Sequence, residues 1–196
     1  MMSDVRTVIL LRHGEADTPA PDAFLGRTDT ALTEAGRNAA QSAAHRLSRM
    51  RVDAIVSGPL VRCVQTARLL RLPPQIQVEP GLSERDFGDW NGKSRALCHA
   101  DEAAWAQFAQ PDGAAPGGES VSAFHERVDE AYERVLDENE GAPVLLIVPH
   151  HSVLCSIASH ALGLGAAGAY RFACAPGSLS AIDYVDGFAQ LTRWNA

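Results

Sequence analysis

Apolar runs and amphipathic stretches alternate along the chain. Three short runs, at residues 8–11, 54–56 and Val144–Val148, are continuously apolar, as is typical of strands buried on both faces of a parallel sheet. Between them, apolar positions recur at helical spacing and predict helices over residues 34–50, 60–70, 94–108, 120–139 and 152–162. Weaker patterns predict strands at Ile76–Val78 and around 170–173, and a hairpin of 181–185 with 188–194 that turns at Asp186-Gly187.

This alternation of strands and helices predicts the fold class. It is typical of an α/β protein with three layers, in which a mostly parallel central sheet is flanked by helices. The 196 residues fit one domain at about 150 residues per domain, and no internal repeat or interdomain linker interrupts them. We therefore expect a single domain over residues 1–196.

The charge balance and the apolar content make several classes of protein improbable. The chain has 17 Lys and Arg against 24 Asp and Glu, a net charge of −7, which disfavours binding to nucleic acid or to an anionic membrane. No apolar run approaches the ~20 residues of a membrane span. Residues 1–6 also lack the pattern of a secretory signal, so a cytoplasmic location is expected.

The four cysteines predict no metal site. Cys63, Cys98, Cys155 and Cys174 lie far apart in the sequence and form no C-x-x-C pair. Zinc ligands normally come in closely spaced pairs, so a zinc site built from these cysteines is not expected. We interpret them as buried free thiols in a reducing compartment.

Polar side chains that could carry chemistry follow the three apolar runs. Arg12 and His13 come directly after the first, and His150 comes shortly after the third. Ligands of open α/β sheets bind at the carboxyl ends of the strands, so these residues predict a shared site. Arg62 falls in the first turn of the helix after the second run, where a cation opposes the helix dipole unless an anion binds there. Packing roles for the histidines and a solvated surface position for Arg62 are the alternatives.

Five ordered motifs, spanning residues 9 to about 155, give these residues a context. They are Leu11-Arg12-His13-Gly14-Glu15; Gly26-Arg27-Thr28-Asp29 with Leu32-Thr33-Glu34-Ala35-Gly36; Ser57-Gly58-Pro59-Leu60-Val61-Arg62 with Gln65-Thr66-Ala67; Leu82-Ser83-Glu84-Arg85-Asp86-Phe87-Gly88-Asp89-Trp90-Asn91-Gly92; and Gly117-Gly118-Glu119-Ser120 with Val148-Pro149-His150. In these motifs the chain resembles the histidine phosphatase superfamily, in its phosphoglycerate-mutase-like branch.

The resemblance implies a metal-independent phosphomonoester hydrolase that works without a cofactor. His13 would be the nucleophile that forms a phosphohistidine, and Arg12, Arg62 and His150 would bind the phosphate. Glu84 would be the proton donor to the leaving oxygen and then the base for water, with Glu79, Asp86 and Asp89 as rivals for that role. Glu15 is interpreted as a structural hydrogen-bonding residue.

The chain departs from the family pattern at three positions. Pro19 stands where Asn is common, Ala16 replaces a usual Ser or Thr, and His151 replaces a usual Gly. A phosphate-binding side chain is therefore expected to be missing from the loop after His13, and the role of His151 is open.

Two regions of the chain indicate a substrate. The regions 105–108 and 173–194 resemble those of α-ribazole phosphatases and their broad-specificity relatives, which makes α-ribazole 5′-phosphate the candidate among small phosphorylated metabolites. The alternatives are mutase-type phosphoryl transfer, a non-catalytic phosphate-binding module, and a metal site built from His13, Glu15, His150 and His151. The expected partner is a small-molecule phosphomonoester, and the oligomeric state, a homodimer included, is left open.

Overall fold

The computed structural model describes residues 5–20 and 22–196. Its six strands form one sheet: β1 (Val5–Leu11), β2 (Ala54–Ser57), β3 (Ile76–Val78), β4 (Val144–Val148), β5 (Leu179–Val185) and β6 (Phe188–Arg193). The helices of the described residues are α1 (Glu34–Leu47), α2 (Val61–Leu69), α3 (Arg95–His99), α4 (Glu102–Phe108), α5 (Val121–Glu138), α6 (His151–Ala161) and α7 (Gly165–Ala169), with short 3-10 turns at Pro80–Leu82 and Gly88–Trp90.

The sheet is mixed and mostly parallel, as the sequence predicts. Its strand order is β3-β2-β4-β1-β5-β6. The first four strands in this order pair in parallel, while β5 and β6 extend the sheet in antiparallel fashion. The ends of β1, β2 and β4 that precede the predicted site residues therefore lie side by side.

Helices cover both faces of the sheet. Along β1, Val8 and Leu10 pack into a cluster with α5 and α6, whereas Ile9 and Leu11 pack into a second cluster with α1 and α2. This alternation follows from the two-residue period of a strand, and it accounts for the continuous apolar runs because both faces are buried. The three layers predicted from the sequence are thus present.

A third, aromatic cluster joins the loop between β1 and α1 to the segment between β3 and α5. Phe24 and Trp90 are buried at its centre, and Phe87, Trp105 and Phe108 pack around them. The rings of Trp90 and Trp105 stack with their centroids 5.8 Å apart. This cluster holds the two short helices α3 and α4 against the main body.

The prediction of a single helix over 94–108 is wrong, because the structure contains two helices there, α3 and α4, separated at Ala100 and Asp101. The Asp101 carboxylate accepts a hydrogen bond from Ala104 N–H and so begins a new helix. Leu97, an apolar residue within the predicted helix, is exposed. The predicted helix over 34–50 ends earlier, at Leu47, which leaves Met50 outside the core at 41% exposure.

The predicted strand around 170–173 is also wrong. Arg171 N–H and Phe172 N–H bond back to Gly168 and Ala169 as a turn that continues α7. With these N–H groups bonded within the turn, they are not available for the hydrogen-bond ladder of a strand. Phe172 packs instead on Trp194, with ring centroids 4.8 Å apart.

The C-terminal hairpin is confirmed. Asp186 and Gly187 both have positive φ, 50° and 84°, which is the conformation a two-residue turn between twisted strands requires. Within the described residues, no helix is long and apolar enough to cross a membrane. The N-terminal segment in which we expect no secretory signal begins outside the described residues.

Candidate active site

Three strand ends bring the predicted site residues together. β4 lies between β1 and β2, with Leu10 opposite Ile147 and Ser57 opposite Val148. Just beyond the strands, His13 N–H donates to the Pro149 carbonyl over 3.1 Å, which ties the first strand end to the loop that carries His150. The two imidazole rings meet edge to face with their centroids 5.1 Å apart.

The His13 imidazole is held in one orientation by both ring nitrogens. Nδ1 lies 2.6 Å from the Gly14 carbonyl oxygen, which requires Nδ1 to carry the proton. Arg62 Nε–H donates to Nε2 over 3.3 Å, so Nε2 carries a lone pair. Burial, and then the charge of Arg62, lower the pKa of His13 to about 3. The ring is therefore neutral at physiological pH.

Arg62 is a fixed internal cation. It is the second residue of α2 and is 1% exposed, so the solvated surface position is wrong. Its two terminal nitrogens donate to the Thr28 and Gly26 carbonyls, each over 2.8 Å. Burial lowers its pKa, and the nearby carboxylates of Glu84 and Asp29 are among the charges that oppose this shift. With both terminal nitrogens engaged, the remaining Nε faces His13.

The loop after β1 is supported from α2 through Thr66. Gly14 N–H donates to Thr66 Oγ1 over 3.1 Å, and this hydroxyl donates to the Arg62 carbonyl over 2.8 Å. The loop also passes so close to α1 that a Cβ on Gly14 would lie 2.3 Å from the Gly36 carbonyl oxygen. Only glycine fits there, which explains the glycine after His13.

Arg12 and His150 complete the polar wall around His13. One terminal nitrogen of Arg12 donates to the Cys174 carbonyl over 2.5 Å, and Arg12 Nε is buried without a hydrogen-bond partner among the described residues. His150 is fully buried beside Cys63, whose sulfur lies 3.4 Å from Nε2. Burial, followed by the neighbouring His13 and Arg62, lowers the pKa of His150 well below its usual value. His150 is thus neutral, and its ring N–H is a donor.

Glu84 reaches the same site from the turn after β3. It is 8% exposed, and its carboxylate accepts hydrogen bonds from Arg85 N–H over 2.9 Å and from Ser152 N–H over 3.3 Å. Ser152 is two residues beyond His150, in the first turn of α6. The second contact therefore joins the predicted acid to the segment that carries the second histidine.

A cavity of about 390 Å³ adjoins this cluster. Aromatic side chains, two arginines and the first turn of α6 line it, and among its lining residues are Phe24, Arg85, Phe87, Arg95, Phe108 and Tyr170. The guanidinium of Arg95 lies over the Phe24 ring at 4.6 Å from its centroid. His151 and Ser152 also line the cavity, and Ser152 is the residue whose N–H bonds to the Glu84 carboxylate, so the cavity lies beside the segment that follows His150.

Comparison with known proteins decides the family. A sequence model of the histidine phosphatase superfamily (branch 1) matches residues 8–196. The chain belongs to this superfamily. It is 35% identical to the adenosylcobalamin/α-ribazole phosphatase of Salmonella typhimurium over 95% of both chains. It is 31% identical to a protein of Cronobacter sakazakii named as a probable phosphoglycerate mutase, over 90% of this chain and 84% of that one. The crystal structure of the α-ribazole phosphatase from Shigella flexneri superposes with a TM-score of 0.89 at 30% identity, over 97% and 96% of the two chains.

Behind the histidine phosphatase site lies a support that the sequence analysis missed. Arg127 on α5 forms a two-bond ion pair with Glu119, 2.8 Å at each nitrogen. It also donates to the Gly81 and Ser83 carbonyls over 2.6 and 3.1 Å. Arg127 thus holds the segment that leads into Glu84. The position of Arg127 in the pattern of its helix does not predict this role, although Glu119 belongs to the motif Gly117-Gly118-Glu119-Ser120.

The rivals of Glu84 have structural partners. Glu79 accepts from Gly81 N–H over 2.8 Å and pairs with Arg134. Burial opposes ionisation of Asp86, but hydrogen bonds from Asn91 and Gly88 N–H outweigh it and lower the Asp86 pKa. Asp89 is exposed.

Glu15 and the two unusual loop residues lie apart from the cluster. The Glu15 carboxylate is exposed and accepts from the Thr33 hydroxyl over 2.8 Å, at the start of α1. This contact holds Glu15 at the start of α1, and among the described residues Glu15 does not group with His13, His150 and His151 as potential metal ligands. Ala16 is buried in a bridge to Leu32, and Pro19 is exposed.

Proposed function

We propose that this histidine phosphatase hydrolyses phosphomonoesters, without a metal ion, through a phosphohistidine on His13. The observation that carries the proposal is the state of the His13 ring. The Nδ1–H of the ring donates to the Gly14 carbonyl, and Nε2 carries an unprotonated lone pair. The His13 pKa of about 3 keeps the ring neutral. A neutral imidazole among fixed cations is what attack on a phosphate ester requires.

The surrounding donors suit the charge that develops on phosphorus. The Arg62 Nε–H now donates a hydrogen bond to His13 Nε2. When substrate enters, it would donate this hydrogen bond to a phosphate oxygen instead. Arg12 Nε and the His150 ring N–H are further donors without a strong internal partner. Together they would hold the equatorial oxygens while the His13–P bond forms and the ester P–O bond breaks.

Glu84 would handle the proton. In the first step its carboxylic acid gives a proton to the leaving oxygen, and the alcohol departs. In the second step the Glu84 carboxylate takes a proton from water as the water oxygen attacks phosphorus, which releases inorganic phosphate and restores neutral His13. Its burial, and its contact with the segment that carries His150, support this role.

The short segment that covers the site favours hydrolysis over mutase-type transfer. Between Glu84 and Ser120 the chain forms the 3-10 turn at Gly88–Trp90 and the short helices α3 and α4, and a cavity with solvent access remains beside the cluster. A mutase must keep water from its phosphoenzyme, whereas a phosphatase needs water at phosphorus.

The cavity supports a substrate with a flat aromatic group. Its rings and arginines would stack on such a group while the phosphate lies against His13. Because α-ribazole is a nucleoside with an aromatic base, and relatives carry its phosphatase name, we propose α-ribazole 5′-phosphate as the substrate.

The remaining expectations are part of the same proposal. Residues 1–196 would form one catalytic domain, which the match over 8–196 supports. The partner would be a small phosphorylated metabolite rather than nucleic acid. The four free cysteines support a cytoplasmic location.

A panel of phosphomonoesters tests the reaction class. Purified protein in excess EDTA should release phosphate from α-ribazole 5′-phosphate and from simple alkyl and aryl phosphates, and His13→Asn should not. Conversion of 3-phosphoglycerate to its isomer without phosphate release would establish the mutase alternative. Phosphate binding without turnover of any ester would establish the non-catalytic one.

The cavity is tested with a surface residue whose loss does not threaten the fold. Tyr170 lines the cavity and is 67% exposed, and Phe188, at 75% exposure on β6, is the matched control. Tyr170→Ala should raise the KM for α-ribazole 5′-phosphate and leave the KM for ethyl phosphate unchanged. Phe188→Ala should change neither. An equal effect of Tyr170→Ala on both esters would remove the cavity from substrate recognition.

A further inference from the structure

Three potential metal ligands that phosphoryl transfer does not use meet beside the active site. His151 is the first residue of α6, Cys155 lies one helical turn later, and Cys174 follows α7. His151 Nδ1 is 3.2 Å from the Cys174 sulfur, and His151 Nε2 is 4.0 Å from the Cys155 sulfur. Taken as one ligand atom from each residue, the three lie within 4.8 Å of one another.

The placement on α6 resembles that of metal-binding helices in general. Residues four apart project from the same face of a helix, so His151 and Cys155 present an imidazole and a thiol in one direction. The loop after α7 then places Cys174 opposite them. Both sulfurs are buried, and neither cysteine is in a disulfide.

The donor set is soft and suits Zn²⁺. Zinc binds cysteine sulfur at about 2.3 Å and histidine nitrogen at about 2.0–2.1 Å in tetrahedral geometry, which places neighbouring ligand atoms about 3.5–3.8 Å apart. With one ligand atom from each residue, the separations reach at most 4.8 Å, so side-chain rotations that shorten them by up to about 1 Å would close the site.

Charge and access are compatible with a cation here. Arg12 lies nearby, bonded to the Cys174 carbonyl, and would repel an added cation. Two cysteine thiolates neutralise a divalent ion, however, so the loaded site adds no net charge beside Arg12. His151 and Cys155 line the cavity, through which an ion and a water ligand can enter.

We propose that His151, Cys155 and Cys174 bind one Zn²⁺ or a similar thiophilic divalent cation, with the fourth position open to the cavity. The site is separate from the residues assigned to phosphoryl transfer and does not depend on that assignment. Cysteine spacing does not predict this site, because the neighbour of Cys155 is a histidine one turn away and because the fold brings Cys174 to them.

Cobalt titration of the reduced protein tests the proposal without an activity assay. One equivalent of Co²⁺ should produce intense sulfur-to-metal charge-transfer bands in the near ultraviolet and visible bands of tetrahedral cobalt, and Zn²⁺ should abolish both. Weak visible absorption without a charge-transfer band would mean that no thiolate binds the metal, and would overturn the proposal.

Variants identify the cysteines whose thiolates give the charge-transfer bands. Cys155→Ser and Cys174→Ser should each reduce the charge-transfer absorption to about half, in keeping with the loss of one of two thiolate ligands. Cys98→Ser is the matched control, since Cys98 is also a buried thiol but lies in the aromatic cluster, and it should leave the spectrum unchanged. Bands that persist at full strength in Cys174→Ser would contradict the assignment.

X-ray absorption at the zinc edge needs no variant. The zinc-loaded wild type should show two sulfur neighbours at about 2.3 Å and nitrogen or oxygen neighbours at about 2.0–2.1 Å. A shell of nitrogen and oxygen alone would place the metal at His13 and His150. A shell with one sulfur would place it at Cys63 and His150. Either result would overturn the proposed site.

Discussion

Stability at mildly acidic pH should report directly on the buried, neutral His13. In the folded protein its pKa is about 3, because burial and the charge of Arg62 disfavour the protonated ring, whereas in the unfolded chain it returns to about 6.5. The unfolded state therefore binds the proton first as the pH falls. The stability associated with neutral His13 is fully present above about pH 6.5 and is lost progressively as the pH falls towards 3.

The size of this effect follows from the two pKa values. At about pH 5 the unfolded His13 is almost fully protonated and the folded one is not, which destabilises the fold by RT ln(1 + 10^1.5), about 2 kcal/mol. Any folded pKa below about 4 gives the same result at this pH. His13→Asn keeps a side-chain N–H for the Gly14 carbonyl but has no proton to gain.

Urea unfolding of both proteins at about pH 8 and about pH 5 measures the difference. Buffers must lack phosphate and sulfate, because anions that bind the folded site would add their own stabilisation. Between the two pH values the wild type should lose about 2 kcal/mol more than His13→Asn. His150, whose pKa is also lowered, remains in both proteins and largely cancels. An equal loss in the two proteins would refute the neutral, strongly perturbed His13.

Three further outcomes are expected. Glu84→Gln should slow hydrolysis of alkyl phosphates about 10²-fold or more but slow hydrolysis of p-nitrophenyl phosphate much less, because nitrophenolate leaves without a proton. Burst kinetics must show that phosphoenzyme formation limits the rate. Under that condition, equal losses on both substrates would exclude Glu84 as the proton donor. Vanadate should inhibit competitively and more tightly than phosphate, since the donors are arranged for a trigonal-bipyramidal phosphoryl group, and weaker inhibition than by phosphate would count against that arrangement. Arg127→Ala should lower the free energy of unfolding by about 2–3 kcal/mol, because it removes the ion pair with Glu119 and leaves two carbonyls without their donor, and unchanged urea denaturation would contradict this.

The site residues could be predicted because their positions follow from the topology. His13 and His150 come directly after apolar runs, and neighbouring parallel strands bring such ends to one edge of the sheet. Arg62 could be recognised since a cation in the first turn of a helix needs an anion to balance it. These local patterns predict where the three side chains lie, whereas the roles proposed for them come from the family resemblance.

Other features depend on contacts that no local pattern encodes. The turn at Phe172 replaces a predicted strand because its N–H groups bond back to α7 and the Phe172 ring packs on Trp194. Arg127 became a support for Glu84 only through the approach of α5 to the turn after β3. The meeting of Cys174 with His151 and Cys155 likewise depends on the path of the loop after α7.

Trapping the phosphoenzyme tests the central claim most directly. Rapid acid-free quenching of the enzyme with a labelled phosphomonoester, followed by proteolysis and mass spectrometry at alkaline pH, should find one phosphoryl group on His13, stable to base and labile to acid. His13→Asn should carry none and should not turn over. Turnover by the wild type with no phosphorylated histidine, or with the phosphoryl group on another residue, would contradict the account.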